Sequence, residues 1–283
     1  MGGAGFRHRA PSRHRRLGDA AAAARRRVTR PGALRADLAD LREHWRRRTP
    51  AAASIWPPAL AAIAPALAVL ADISLIFDEI FARGARALPR DLVDVFQIVT
   101  RFGESHWLFA LSVLTFVGAA GARASAVTRR ARACFGLLAA RALYVFVVLA
   151  DSGLLSQALK HPIGRARPAL LDKVGPHHFE FFSLPSIYAS FPSGHTITAF
   201  ATAAALGFFL PRRFKPLPFL AALAIAASRV IIGAHYCSDV LGGALIGLAC
   251  AYLTALVFAR RRLAFTVAPD SFWPRARGSR LCA

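Results

Sequence analysis

Arg229-Val230-Ile231-Ile232-Gly233-Ala234-His235-Tyr236-Cys237-Ser238-Asp239 joins two apolar runs, Leu217 to Ala227 before it and Val240 to Ala259 after it. An arginine, a histidine and an aspartate therefore sit where two hydrophobic helices meet. If the chain is helical again by Ser238, His235 and Asp239 lie one turn apart on the same side. The carboxylate then accepts a hydrogen bond from one ring nitrogen and leaves the other free to attack. This is the orienter-to-base arrangement of catalytic triads, with histidine itself as nucleophile. The planar fork of Arg229 suits the oxygens of a phosphate. The plain alternative is a polar loop between membrane helices, with Arg229 reaching back to the headgroups.

Composition favours a membrane setting. Of 283 residues, 55% are hydrophobic and 18% charged, and mean hydropathy is +0.42, which is high for a soluble chain of this length. The net charge of +22 would suit nucleic acid. Its distribution argues against that partner, because the positive charge lies in residues 1–50 and in short patches between apolar runs. Cys134, Cys237, Cys250 and Cys282 show neither metal-ligand spacing nor a paired framework.

Reading outward gives six spans, their lengths falling on either side of the ~20 residues a bilayer requires. They cover Ile55 to Phe77, His106 to Ala122, Cys134 to Leu159, Thr196 to Leu210, Leu217 to Ile232 and Val240 to Ala259. Between the first two, Pro89-Arg90-Asp91 opens a short helix whose stripe is Leu88, Leu92, Val95 or Phe96, and Val99, with Gly103 as its stop. Residues 1–50 read as a basic cytoplasmic tail, disordered or laid as a surface helix on an anionic leaflet. The expected organisation is thus the 1–50 tail, a 51–262 membrane domain and a 263–283 cytoplasmic tail. The fold class is all-α: a polytopic six-helix bundle with a short amphipathic outer helix.

The N-terminal tail, the Arg123–Arg132 connector, the Arg212–Lys215 turn and Arg260-Arg261-Arg262 all fall on one side of such a bundle. The positive-inside rule makes that side cytoplasmic, with both termini there. The Lys160–His195 loop and the Arg229–Asp239 stretch then face outward together.

Three clusters meet on that outer face. Lys160, Arg167 and Arg229 offer cations to one anion. Ser193 adds a hydroxyl, and Gly194 lets a backbone amide approach at a helix start, where the dipole favours negative charge. His195 and His235 complete a pair able to protonate and to attack. Phosphoryl transfer needs such fixed donors around its equatorial oxygens. His161, Asp172, Lys173, His177, His178 and Glu180 read as solvated loop surface, and Arg165, two residues from Arg167, as a closer case. No carboxylate cluster suggests a metal.

Lys160, six residues, Arg167-Pro168; then Pro192-Ser193-Gly194-His195; then Ser228-Arg229, five residues, His235, three residues, Asp239: this ordered triple resembles the signature of the type 2 phosphatidic acid phosphatases, which share their core with the vanadium haloperoxidases. The resemblance covers roughly Ile55 to Ala259. It implies that Lys160, Arg167, Ser193, Gly194 and Arg229 hold phosphate, and that His235 forms a phosphohistidine while Asp239 orients its ring. His195 is implied to protonate the leaving oxygen and then to activate water, with no metal or other cofactor. The implied substrate is a lipid phosphate such as phosphatidate, phosphatidylglycerol phosphate, undecaprenyl diphosphate or lipid A. The implied place is a bacterial inner membrane with the site facing the periplasm. Two alternatives keep the same residues: a phosphotransferase passing phosphate to another lipid, and a lipid-phosphate binding or translocating protein. Vanadate-dependent halide oxidation is disfavoured by the six apolar runs.

Overall fold

A computed structural model describes residues 75–268, 271 and 273–278 of the chain. The expected tail 1–50 and most of the expected first span lie outside them. Residues 75–86 are helical (α1). The amphipathic helix follows as α2, Arg90–Arg101, with Pro89 as N-cap, Asp91 in the first turn and Arg101 in the last, charges that complement the helix dipole. The expected second, third, fifth and sixth spans are α3 (Ser105–Ser125), α4 (Arg129–Ile163), α6 (Pro216–Ile231) and α7 (Cys237–Arg260). The expected fourth is α5, Gly194–Gly207.

The structure is mostly helical, and among the described residues four stretches are long and apolar enough to cross a membrane: Arg90–Ser125, Arg129–Ile163, Arg212–Ile231 and Cys237–Arg260. α5 has 14 residues, a rise of roughly 21 Å, so it covers only part of a ~30 Å hydrocarbon layer. Large apolar side chains such as Leu111, Leu114, Leu154, Leu217 and Leu220 stand exposed along these helices, where a lipid environment would cover them.

Helix ends follow local chemistry. The Thr128 side chain accepts from the Ala131 amide at 3.1 Å and opens α4. Gly164, in the left-handed conformation, closes it with its amide on the Lys160 carbonyl at 2.9 Å. Its place admits no side chain, because a Cβ there would come within 1.7 Å of the Glu180 carbonyl oxygen.

α5 is the centre of the bundle and packs against α4, α6 and α7. It is buried on two sides, with Ala199 and Ala203 in one apolar cluster and Ala201 and Ala205 in another, and α7 meets it through Gly243 and Gly247. A Cβ on Gly247 would lie 2.5 Å from the Ile197 oxygen and 2.8 Å from the Ala201 nitrogen, and one on Gly243 would lie 2.8 Å from the Ser193 oxygen. Small residues thus bring two backbones into direct contact, as in close-packed membrane helices.

Away from that contact, the core closes around Tyr144 of α4. Its hydroxyl donates to the Ala251 oxygen at 2.8 Å, and Phe209, Phe258 and Phe265 meet its ring edge-on at 4.7–5.7 Å. Phe265 comes from beyond α7. The chain turns back after Arg260, buries Leu263, Ala264 and Phe265, and pairs β1 (Phe265–Thr266) antiparallel with β2 (Arg275–Ala276). Arg141 belongs to this end, its guanidinium over Phe209 and donating to the Arg277 oxygen at 2.9 Å. Cys134 is disulfide-bonded, against the unpaired expectation from spacing, while Cys237 and Cys250 are free thiols.

Because the Gly247 contact is to backbone on both sides, Gly247→Ala should cost about 1–3 kcal/mol by overpacking. The measurement is the thermal unfolding midpoint in detergent, with Gly121→Ala as control, since a Cβ at Gly121 meets nothing within 4 Å. Equal midpoints for the two variants would refute the close packing.

Candidate active site

The site grows from the N-terminus of α7. His235 lies in the turn just before Tyr236, the N-cap, and Asp239 lies in the first turn of the helix. Both are buried, Asp239 completely. The expected pairing is present in modified form. His235 Nδ1 stands 3.7 Å from Asp239 Oδ2, an ion-pair separation longer than a hydrogen bond. Nδ1 faces the carboxylate, so Nε2 is the nitrogen left for a ligand.

Asp239 is held from several sides. Oδ2 accepts from the Tyr236 amide at 2.9 Å and from Ser190 Oγ at 2.5 Å. Oδ1 accepts from Arg165 Nη1 at 2.6 Å. Its backbone oxygen accepts from the Ser193 amide at 3.1 Å, which fixes the start of α5 against the start of α7.

The remaining expected residues connect through short contacts. α5 begins at Gly194 with Ser193 as N-cap, and Ser193 Oγ accepts from Thr196 Oγ1 at 3.0 Å. A Cβ on Gly194 would lie 3.5 Å from Lys160 Nζ and 3.7 Å from Ser156 Oγ. The glycine therefore keeps the lysine close to a helix N-terminus. His195 is the next residue, and Gly103 lies against its ring: a Cβ there would be 3.1 Å from His195 Cβ and Cδ2. The Arg229 oxygen accepts from the His235 amide at 3.1 Å, and Arg229 Nη1 donates to Thr100 Oγ1 at 2.7 Å. Arg167 is held by the Ser186 oxygen at 2.8 Å and reaches the Ala234 oxygen at 3.4 Å. All eight expected residues are thus linked across the ends of α4, α5, α6 and α7.

Electrostatics favours the unprotonated ring. Burial holds the His235 pKa below the ordinary histidine value, the Asp239 charge opposes this, and Arg229 and Arg167 reinforce it. A neutral imidazole is the nucleophilic form. Burial also lowers the Arg167 pKa, yet a guanidinium remains charged.

Several participants were not placed by sequence. Arg165, the closer case of the loop residues, is 1% exposed and sits at the centre of the site. Asp78 and Ser238 complete its contacts, Ser190 supports Asp239, and Thr100 and Gly103 of the amphipathic region cover Arg229 and His195. Gly103 was read only as a helix stop. Of the residues read as loop surface, His161 Nδ1 lies 3.0 Å from the Ser183 oxygen, and Asp172 pairs with Arg83 and Arg86.

Fold and site together define a helical membrane protein with cations and two imidazoles gathered at the helix ends. The PAP2 superfamily model matches residues 141–263. A lipid A 1-phosphatase of Rhizobium johnstonii is 35% identical over 247 residues, covering 86% of this chain and 98% of that protein. A lipid A 1-phosphatase of Rhizobium etli is 37% identical, covering 72% and 86%. The phosphatidylglycerophosphatase B of Bacillus subtilis is 30% identical, covering 62% and 80%. The chain belongs to the PAP2 superfamily.

If Arg167 and Arg229 present their donors to one tetrahedral anion, vanadate will report it. Arg167→Met and Arg229→Met should each weaken vanadate binding about 10- to 100-fold, roughly 1.5–3 kcal/mol for a hydrogen bond to a charged group. Titration calorimetry in detergent measures this. Unaltered affinity in both variants removes the anion role.

Proposed function

We propose that the protein is a lipid-phosphate phosphatase that removes the 1-phosphate of lipid A through a phosphohistidine on His235. The observation that carries the reading is the convergence of three separated segments, 160–167, 193–195 and 229–239, on one buried His235–Asp239 pair. A protein that only binds or moves a lipid phosphate needs cations but not two imidazoles, one of them set against a carboxylate. The near full-length similarity to lipid A 1-phosphatases supports the substrate. Phosphatidylglycerol phosphate is the second candidate, from the more distant Bacillus relative.

In this mechanism Lys160, Arg167, Arg229, the Ser193 hydroxyl and the Gly194 amide bind the phosphate oxygens and stabilise their charge in the transition state. His235 Nε2 attacks phosphorus. The bond to the lipid oxygen breaks, and that oxygen takes a proton from His195 as it leaves. Asp239 faces Nδ1 and stabilises the positive charge the ring acquires. His195, now neutral, accepts a proton from water, whose oxygen attacks the phosphohistidine. Inorganic phosphate departs and His235 is restored.

We further propose a bundle of six spans, the first over residues 55–77, with both termini cytoplasmic and the site at the periplasmic face of a bacterial inner membrane. The four basic stretches support this orientation, and the 1–50 tail would then lie on an anionic leaflet. Beside the site, the segment after α4 exposes Phe181, Phe182 and Leu184, each at least two-thirds accessible. Apolar side chains at the mouth suit a substrate carried in a lipid surface.

Purified protein in detergent, without divalent metal, should release phosphate from lipid A more rapidly than from other lipid phosphates. His235→Ala should lose at least ~10⁴-fold in kcat, in the range for removal of a nucleophile. Acid-labile, alkali-stable label from ³²P-lipid should accumulate on His195→Asn and be absent from His235→Ala. Wild type no faster than His235→Ala on every lipid would end the phosphatase reading. Label passing to another lipid instead of to water would make the protein a transferase.

A further inference from the structure

We propose that Arg165, gripped by Asp78 of α1, is a positioning residue for the proposed reaction: it holds the Asp239 carboxylate in place behind His235. The inference rests on the phosphatase reading for its kinetic arm, but its geometry is independent of substrate.

A fully buried carboxylate is costly unless it is paired and hydrogen-bonded. His235 cannot supply the pairing, since the neutral ring carries no charge and stands 3.7 Å away. Among the described residues, the cation in contact with Asp239 is Arg165, at 2.6 Å. The same guanidinium reaches three further oxygens. Nη1 also donates to Ser238 Oγ at 2.6 Å, and Nη2 donates to Asp78 Oδ2 at 2.7 Å and to the Pro176 oxygen at 3.0 Å.

The far side of the fork is fixed as firmly. Asp78 is fully buried. It accepts from the Ser238 amide at 2.9 Å and from the Ser238 hydroxyl at 2.5 Å. The Ser238 hydroxyl thus donates a hydrogen bond to Asp78 while accepting one from Arg165, which closes a ring of hydrogen bonds at the first turn of α7. The guanidinium carbon also lies over the Tyr236 ring, 4.6 Å from its centroid, a cation–π contact. Two carboxylates raise the Arg165 pKa despite the opposing effect of burial, so the fork stays charged.

The outcome is directional. Arg165 Nη1 fixes Asp239 Oδ1 while Nη2 is anchored on Asp78, and Ser190 and the Tyr236 amide fix Oδ2. The oxygen facing His235 is therefore not free to rotate away. A plain staple between α1 and the bundle would need only a paired charge. Here one contact meets Asp239, and those to Ser238, Asp78 and Pro176 hold the guanidinium so that its approach to that carboxylate has one direction.

The test uses full-length protein in detergent with Arg165→Lys, Arg165→Met and the charge-neutral pair Asp78→Asn/Arg165→Met. Thermal unfolding, kcat and KM for phosphate release, and ¹⁵N histidine spectra are measured on each, with His235 assigned through His235→Asn. The pair removes one negative and one positive charge, so it should regain the part of the lost stability that comes from leaving Asp78 unpaired, while Asp239 still lacks its cation. It should nevertheless stay at least ~30-fold down in kcat with KM within about threefold, the size expected for a reacting group displaced by about an ångström. Arg165→Lys, which keeps the charge but loses the fork, should fold and fall by ~10-fold or more on the same measure. The ¹⁵N shifts should show wild-type His235 protonated at Nδ1, and a mixture of tautomers in each folded variant. Folded variants with wild-type kcat and an unchanged His235 tautomer would overturn the proposal. Wild type that is inactive on every lipid counts against the phosphatase reading alone, because the tautomer still decides the role of Arg165.

Discussion

An ionised carboxylate with no exposure, at the end of a helix long and apolar enough to cross lipid, has to be answered by groups brought from elsewhere. Asp239 is that carboxylate. Its neighbours come from the loop after α4 (Arg165), the approach to α5 (Ser190 and the Ser193 amide) and its own cap (Tyr236). None of these lies close to it in sequence except the last. The demand for compensation therefore draws together segments that hydrophobic packing alone would leave free to slide. His235 is placed within this set, held through its own amide to Arg229.

The second constraint is how near the helices can come. Ser193 can donate to the Asp239 carbonyl only if α5 and α7 start almost in contact, and Gly243 and Gly247 make that possible by presenting no side chain. On the other flank, α2 lies across α6. Its Val99 packs on the Ala199, Ala203, Ala222 and Ile225 cluster, and this sets Thr100 on Arg229 and Gly103 on His195. Packing positions the cations and imidazoles, while the buried charges set their angles. The Tyr144 core at the other end gives the bundle its rigidity without touching the site.

Much of this was legible in the sequence. Apolar length gave the membrane helices, because hydrocarbon thickness imposes it locally. The ordered triple placed Lys160, Arg167, Ser193, Gly194, Arg229, His195, His235 and Asp239, and the structure links all eight. The four-residue spacing suggested His235 and Asp239 on one helical face. In fact the histidine precedes the helix, so the two approach across a cap. The Asp78–Arg165 pair escaped because a long-range ion pair leaves no periodic trace. Arg165 stood out only by lying two residues from Arg167, and nothing in the sequence joined it to an aspartate 87 residues upstream. Gly103 escaped for a related reason: a glycine that ends a helix and a glycine that makes room for an imidazole are identical in sequence. Phe265 looked like the start of a tail, since its partners Tyr144 and Phe208 are more than fifty residues away.

The reach of the Arg165 fork bears on how this protein can be divided. The superfamily match begins at residue 141, yet Asp78, Thr100 and Gly103 all lie upstream of it and all touch the site or its supports. The matched region is therefore not a portable cassette. A chimera joined between α3 and α4 would keep every signature residue while exchanging the carboxylate that anchors Arg165 and the surface against His195. Homologous parts would be interchangeable only where the donor also carries an acid in register with Asp78, and a junction drawn from the signature alone would separate a residue from its counterweight.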